Sequence, residues 1–199
     1  VLAGLEDNYE SELFLPIIRI IEEVSGQSYK DKENKKPMRI IADHVRAATF
    51  LIADGVVPGK VEQGYVLRKL IRRAIDQART FGYPNHFRPI IAAVIGIYRQ
   101  DYPELGQQEE KIYETIGDEE SQYAQTIQRA RKILTKVTSV TKKISGEEAF
   151  NLYATHGLSP QQLREQGYEF DQAEFEKAFV KHQEISRKGA EKKFTGGLA

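Results

Sequence analysis

From Tyr9 to Val24 the apolar residues Leu13, Phe14, Ile17, Ile18, Ile20, Ile21 and Val24 recur every three or four positions, and that interval returns down almost the whole chain. Side chains so spaced share one face of a helix, whereas a half-buried strand needs strict alternation, which no stretch here shows. The period predicts further helices over 38–56, through Ile40, Ile41, Val45, Ala48, Leu51 and Ile52, and over 65–81, through Val66, Leu67, Leu70, Ile71, Ala74, Ile75 and Ala78. The apolar run 90–97 is short enough for a strand, but Ala92, Ala93 and its continuation to Tyr98 favour a buried helix. Ile112, Ile116, Tyr123, Ile127, Ala130, Leu134 and Val137 predict one long helix over 105–140, with Gly117 as the place for a bend. Shorter helices follow over 147–155, from Pro160 to Gly167 and over 171–192, the last opened by Asp171 and Glu174 in capping-box spacing. The expected fold is all-α, a bundle of roughly seven to eight helices including one long one. The polar run 30–37 reads as an exposed loop, and Ile144-Ser145-Gly146 as the boundary between a helical domain over 1–144 and a smaller C-terminal helical subdomain over 145–199.

Charge narrows the function. The chain of 199 residues balances 29 Lys and Arg against 29 Asp and Glu, which excludes a uniformly basic nucleic-acid binder. The balance is an average over blocks: residues 38–88 hold nine bases against four acids, 89–128 hold two against eight, and 129–143 hold six against none. No apolar run reaches the roughly 18 residues that span a bilayer, so no membrane partner is expected and a cytoplasmic protein is the default. Val1-Leu2-Ala3-Gly4 reads as the interior of a longer chain, beyond which any catalysis would lie.

Recognisable reaction centres are missing. Cysteine is absent, and His44, His86, His156 and His182 have no helical ligand spacing between them, so no metal site is expected. Neither a phosphate loop, a dinucleotide-binding glycine pattern nor a serine nucleophile elbow occurs. Asp43, His44 and Arg46 put an acid, an imidazole and a guanidinium within one helical turn. They form either a ligand cluster or an Asp43–Arg46 pair with His44 packed locally.

The basic helix over 65–81 is the stronger signal. Arg68 and Arg72 lie four apart on one stripe and Lys69 and Arg73 on the next, after a glycine turn, so four cations are expected to project and to meet successive phosphates. A solvated charged face is the alternative. Arg129, Arg131, Lys132, Lys136, Lys142 and Lys143 offer a second basic surface, or neutralise the acidic 101–120 stretch.

Two long blocks, Arg39-Ile-Ile-Ala-Asp-His-Val-Arg-Ala-Ala-Thr-Phe-Leu-Ile-Ala-Asp-Gly-Val56 and Gly64-Tyr-Val-Leu-Arg-Lys-Leu-Ile-Arg-Arg-Ala74, closely resemble the tRNA-recognition region of the alanyl-tRNA synthetases. Asp7-Asn8-Tyr9-Glu10-x-Glu12-Leu13-Phe14 resembles the segment after the third class II catalytic motif. Ala149-Phe150-x-Leu152-Tyr153-x-Thr155-x-Gly157 resembles the join between the two helical parts of that region, and Lys193-Phe194-x-Gly196-Gly197-Leu198 the approach to the editing domain. The resemblance spans essentially the whole chain. It implies a tRNA-binding segment that grips the tRNA(Ala) acceptor stem and reads its G·U wobble pair, with the parent protein attaching alanine to tRNA at the expense of ATP. A G·U pair leaves the guanine 2-amino group in the minor groove for a side-chain acceptor. The catalytic and editing domains of the parent are then this segment's partners, and ATP, Mg and an editing-domain Zn belong to them. No catalytic residue, no metal and no DNA partner is expected within the segment.

Carried over residue by residue, the resemblance places tRNA contacts at Glu62, Tyr65, Arg68, Lys69, Arg72, Arg73, Ala154 and Thr155. Two positions depart from the family: its usual Asn before Gly-Tyr falls on Glu62, and its usual Asp falls on Ala154. The family's Gly-Phe-Pro becomes Gly157-Leu158-Ser159-Pro160. Losing the Asp removes an acceptor for the guanine amine, and Glu62 is a longer carboxylate that substitutes for it. The same departures fit a helical RNA- or protein-interaction module from a paralogue without ligase activity.

Overall fold

Ile17, Ile18 and Ile21 are buried on one side of the first helix, as their spacing requires, but the helix is shorter than the apolar pattern. In the computed structural model, which describes residues 7–82, 86–137, 142–156, 158, 160–165 and 167–194, a single 3-10 turn at Asn8–Glu10 precedes α1 (Leu15–Ser25). Pro16, at the start of α1, suits the first turn, where an amide N–H has no helical partner. Gly26, with φ of 66°, ends it in the left-handed conformation that glycine adopts without penalty. Leu13 and Phe14 therefore lie before α1 instead of on its buried face.

The second helix, α2, runs from Lys32 to Ala53. It starts at Lys32, so the expected loop over 30–37 is largely helical, with Pro37 inside the helix. That run lacks apolar residues, so no period marks it, but Lys and Glu extend a helix readily once it is nucleated by its packed part. Asn34 is buried there, and its side-chain amide donates to the Ser28 carbonyl at 3.0 Å.

The third helix, α3 (Glu62–Thr80), packs along α2, burying Leu67, Ile71, Ala74, Ile75 and Ala78. The apolar run 90–97 is helical, as expected: α4 (Arg88–Tyr98) buries Ile90, Ile91, Val94, Ile95 and Tyr98 and packs against α1 and α2. The long helix is split by a break at Gln108 into the short α5 (Pro103–Gln107) and α6 (Glu109–Val137), and Gly117 lies inside continuous helix. Ile112, Ile116, Tyr123 and Ile127 are buried along α6. The expected positions Ala130, Leu134 and Val137 fall outside the described side chains.

Contacts divide the chain into two compact units, Val1–Gln122 and Tyr123–Ala199, a division inside α6. The second unit contains α7 (Gly146–His156), α8 (Pro160–Glu165) and α9 (Gln172–Phe194). A true capping box opens α7: the Glu148 N–H donates to Ser145 Oγ at 3.1 Å, and the Ser145 N–H donates to Glu148 Oε2 at 2.8 Å. The expected box at α9 is half formed. The Glu174 N–H donates to Asp171 Oδ1 at 3.0 Å, while the Glu174 carboxylate accepts the Gly146 N–H at 2.7 Å and so ties α9 to the start of α7. Phe150, Tyr153, Phe175 and Phe179 fill the space between those two helices, Phe150 meeting Phe175 and Phe179 edge-on at 5.9 and 6.4 Å. The described residues form nine α-helices and no strand. Their one isolated bridge joins Lys143 to Glu169. The fold is all-α.

Candidate nucleic-acid interface

The loop that launches α3 is held by glycine against glycine. The Gly59 N–H donates to the Gly64 carbonyl at 2.8 Å. A Cβ on Gly64 would lie 2.6 Å from the Val57 carbonyl oxygen and 2.9 Å from the Gly59 nitrogen, closer than any side chain tolerates. Glu62, the first residue of α3, has φ of +51°, a left-handed conformation that costs an ordinary residue about 1 kcal/mol. Its side chain is exposed. Around this turn Val57, Val61, Tyr65 and Val66 are all half or more exposed, although the apolar pattern places Val66 on the buried face.

Four of the five cations of α3, Arg68, Lys69, Arg72 and Arg73, separate into two pairs. Arg68 Nε donates to Glu119 Oε2 at 3.3 Å and Arg72 Nε to Glu119 Oε1 at 2.7 Å, and Glu119, on α6, is 2 % exposed. The expectation that all four project therefore fails for Arg68 and Arg72. A buried carboxylate is too costly without counter-charges, and two guanidinium groups one helical turn apart supply them. Lys69 and Arg73 are exposed. With Tyr65 they occupy successive positions four apart, a single i, i+4 row along α3 that starts just after Val61.

Arg73 also acts on its neighbour. Burial lowers the His44 pKa, and the Arg73 cation lowers it further, against a smaller opposing pull from Asp43. Asp43 and Arg46 go to different partners: Asp43 accepts the Tyr9 hydroxyl, and Arg46 lies against aromatic rings. The Asp43–Arg46 pair considered from spacing is thus replaced by longer-range contacts.

Part of the acidic block serves the basic one. Besides Glu119, Glu110 takes Arg88 at 3.1 Å, and Arg88 lies over the Tyr113 ring at 4.0 Å from its centroid. In the second basic stretch Arg129, Lys132, Lys142 and Lys143 are exposed, Lys143 being 3.7 Å from Glu169. The Arg131 and Lys136 side chains lie outside the described ones. No group of three or more His, Cys, Asp or Glu among the described residues is placed to hold a metal ion. No helix among them is long and apolar enough to cross a membrane.

Comparison with known proteins decides the family. Residues 1–197 match the family model described as tRNA synthetases class II (A). The chain belongs to that family. Its relatives include an alanine–tRNA ligase of Borreliella afzelii, 40% identical over 209 aligned positions that take in 100% of this chain and 35% of the relative. The alanine–tRNA ligase of Thermotoga maritima is 38% identical over 194 positions, 94% of this chain and 22% of its own length. That of Geobacillus thermodenitrificans is 37% identical, with 94% and 23% covered. The chain thus spans about a quarter to a third of these relatives. The match is to the class II synthetase as such and not to a helical recognition part of it.

In this class II synthetase chain the sequence-derived contact positions fall on two helices in two units. Glu62, Tyr65, Arg68, Lys69, Arg72 and Arg73 share α3, whereas Ala154 and Thr155 are exposed on α7. Gly157 and Ser159 lie outside the described residues, and Leu158 between them is buried. Glu119 had no signal in the sequence: it stands in a run of acids that looks solvated, and only the packing of α6 on the arginine stripe singles it out.

Proposed function

We propose that the chain is the tRNA-binding part of an alanine–tRNA ligase and that the exposed row of α3 lies along the acceptor stem. The observation that carries this reading is the row itself: Tyr65, 50 % exposed, followed at four-residue steps by Lys69 and Arg73. An aromatic ring able to pack on a sugar or base, followed by two cations one turn apart, matches what an RNA backbone offers. The names of the relatives support alanine and tRNA as substrates of the whole protein. In this reading Arg68 and Arg72 set the rigid placement of α3 through Glu119 and contribute long-range attraction, and Lys69 and Arg73 make the phosphate contacts. On the same reading the Glu62 carboxylate accepts the guanine 2-amino group of the G·U pair, for which Ala154 offers no side-chain acceptor. In this reading the ATP, magnesium and zinc chemistry of such a ligase belongs to its other parts.

The test is titration of an acceptor-stem hairpin RNA at several salt concentrations. Lys69→Ala and Arg73→Ala are each expected to reduce the salt slope by about one, while Arg68→Ala and Arg72→Ala lower melting temperature and change the slope less. Equal slopes for wild type, Lys69→Ala and Arg73→Ala would overturn the assignment of the row. Charging of G·U against G·C stems by a full-length ligase carrying this segment tests the readers. An unchanged ratio after Ala154→Asp with Glu62→Asn excludes both positions.

A further inference from the structure

Half of the large apolar side chains left exposed among the described residues gather at one place, the turn between α2 and α3. Val57 and Val61 are 66% and 64% exposed there, and Tyr65 and Val66, at the start of α3, are about half exposed. The turn that carries them is fastened at both ends. The Gly55 N–H donates to the Ile52 carbonyl and the Val56 N–H to the Leu51 carbonyl, both at 2.9 Å, which ties the turn to the end of α2. The Gly59–Gly64 bond closes the other end, and Gly64 lies so near the Val57 carbonyl that no Cβ fits between them. Within this closed turn Glu62 keeps its left-handed backbone. A chain that holds four apolar side chains in water on a strained, fastened turn keeps them for a partner.

The partner follows from what adjoins the turn, together with the reading of α3 as lying along an RNA stem, on which this inference rests. Val61 stands one turn before Tyr65, and Lys69 and Arg73 follow one and two turns after it, so a polyanion laid along the two cations runs on across the apolar turn. At the turn itself the exposed Lys60 and Glu62 offset one another, which leaves hydrocarbon to make the contact. Outside the base stack, the hydrocarbon of a nucleic-acid stem is on its sugars. A-form RNA presents its riboses along a wide, shallow minor groove, whereas the minor groove of B-form DNA is about 6 Å across, too narrow for a turn of backbone with its side chains. We propose that Val57 and Val61 are specificity residues that pack on the riboses of the minor groove, and that this fit selects an A-form RNA stem over a B-form DNA one. Glu62, next to Val61, then has its carboxylate at the groove in which the guanine 2-amino group lies. One backbone turn carries both the ribose-packing side chains and the base-reading acceptor.

The experiment titrates the 199-residue chain with an acceptor-stem hairpin RNA and with the DNA hairpin of corresponding sequence, each at several salt concentrations. The double variant Val57→Ala with Val61→Ala is expected to bind the RNA about tenfold more weakly at every salt concentration, with the salt slope unchanged, because the lost contact is apolar. Its affinity for the DNA is expected to stay within about twofold of wild type, since phosphate attraction alone holds that hairpin. Both side chains are exposed, so the melting temperature should stay within about 2 °C. RNA affinity within about twofold of wild type, an equal loss on RNA and DNA, or a changed slope overturns the inference. A larger fall in melting temperature also overturns it, since the two valines would then hold the fold. The reading of α3 is judged apart: it fails if Lys69→Ala and Arg73→Ala keep the wild-type slope. If those slopes fall by about one while the double variant binds RNA as wild type does, the reading stands and the inference alone is lost. A wild-type chain that does not bind the RNA hairpin overturns both.

Discussion

Glu119 and Glu120 are neighbours in sequence and on α6, yet they are held in opposite ways. Glu119 is clasped by Arg68 and Arg72. Glu120 is also buried, and the Phe87 N–H, just before α4 begins, donates to it at 3.4 Å. Burial pushes the Glu120 carboxyl up to about 7, against a smaller opposing effect of the Phe87 N–H. The folded protein therefore holds a proton there that the unfolded chain, with an ordinary carboxyl near 4.5, releases. Between those two values stability falls as pH rises, by up to about 3 kcal/mol from this group. Glu120→Gln keeps the acceptor oxygen without the titration. Its stability relative to wild type should be similar near pH 5 and higher near pH 8, measured as the denaturant midpoint at each pH. A wild-type advantage at the higher pH would show that Glu120 is ionised and paired.

A second residue-scale network works in the other direction. Asp7 is partly buried, which by itself raises its pKa, but donors from Tyr29 at 2.6 Å, from the Tyr9 N–H at 3.0 Å and from Arg39 at 2.5 Å hold its carboxyl below the ordinary value. Burial and the Asp7 hydrogen bond push Tyr29 up to about 12. The stability that Asp7 contributes is present above its unfolded pKa and is lost as pH falls through its lowered folded value. The same donors join the 3-10 turn at Asn8–Glu10 to α2, and Arg39 lies over the Tyr9 and Tyr29 rings. Tyr29 and Arg39 lie 22 and 32 residues from Asp7, so pair spacing along a helix gave no sign of them.

At the scale of an element, the start of α3 shows how far local signals reach. The helix itself was legible because its apolar period is regular and its face against α2 is continuous. Its first turn was not, because Glu62 carries no turn signature while its backbone is left-handed. Glu62→Gly should relieve that strain, leaving stability unchanged or raising it by up to about 1 kcal/mol despite glycine's larger unfolded-state entropy. Gly64→Ala is expected to do the reverse, since its methyl would press on the Val57 carbonyl, and should cost about 1–3 kcal/mol. Chemical denaturation of both variants checks the pair. A Gly64→Ala protein as stable as wild type would mean that the Gly59–Gly64 contact opens freely, and the placement of Tyr65 would then need another explanation. The missed loop over 32–37 has a related cause: without apolar residues a helical segment leaves no period, and its helicity is inherited from the packed part that follows.

For the whole molecule, the two compact units predict two independent responses to damage. Gly146 sits where α7 meets α9, and a Cβ there would lie 2.5 Å from the Asp171 carbonyl oxygen and from the Phe175 nitrogen. Gly146→Ala should loosen α7 and α9 while leaving α2, α3 and α4 protected. Hydrogen exchange read along the chain tests this, and uniform loss of protection would show that the units unfold as one.

The sequence by itself determined that the chain is helical, where most helices lie and which faces are buried, because a period of three to four apolar residues has one low-energy solution. It also determined the family, through two blocks whose residues match over long runs. Only the tertiary structure decided which charges are available. Sequence distance carries no information about which carboxylate reaches which guanidinium, and a buried acid recruits whatever cations the packing brings within reach. So Arg68 and Arg72 are tied to Glu119, Arg88 to Glu110 and Asp43 to Tyr9, Arg46 lies among aromatic rings, and Lys69 and Arg73 face solvent. A neutral chain is thereby divided into cations already paired within the fold and cations that face solvent, and on α3 the paired ones hold in place the helix that carries the others.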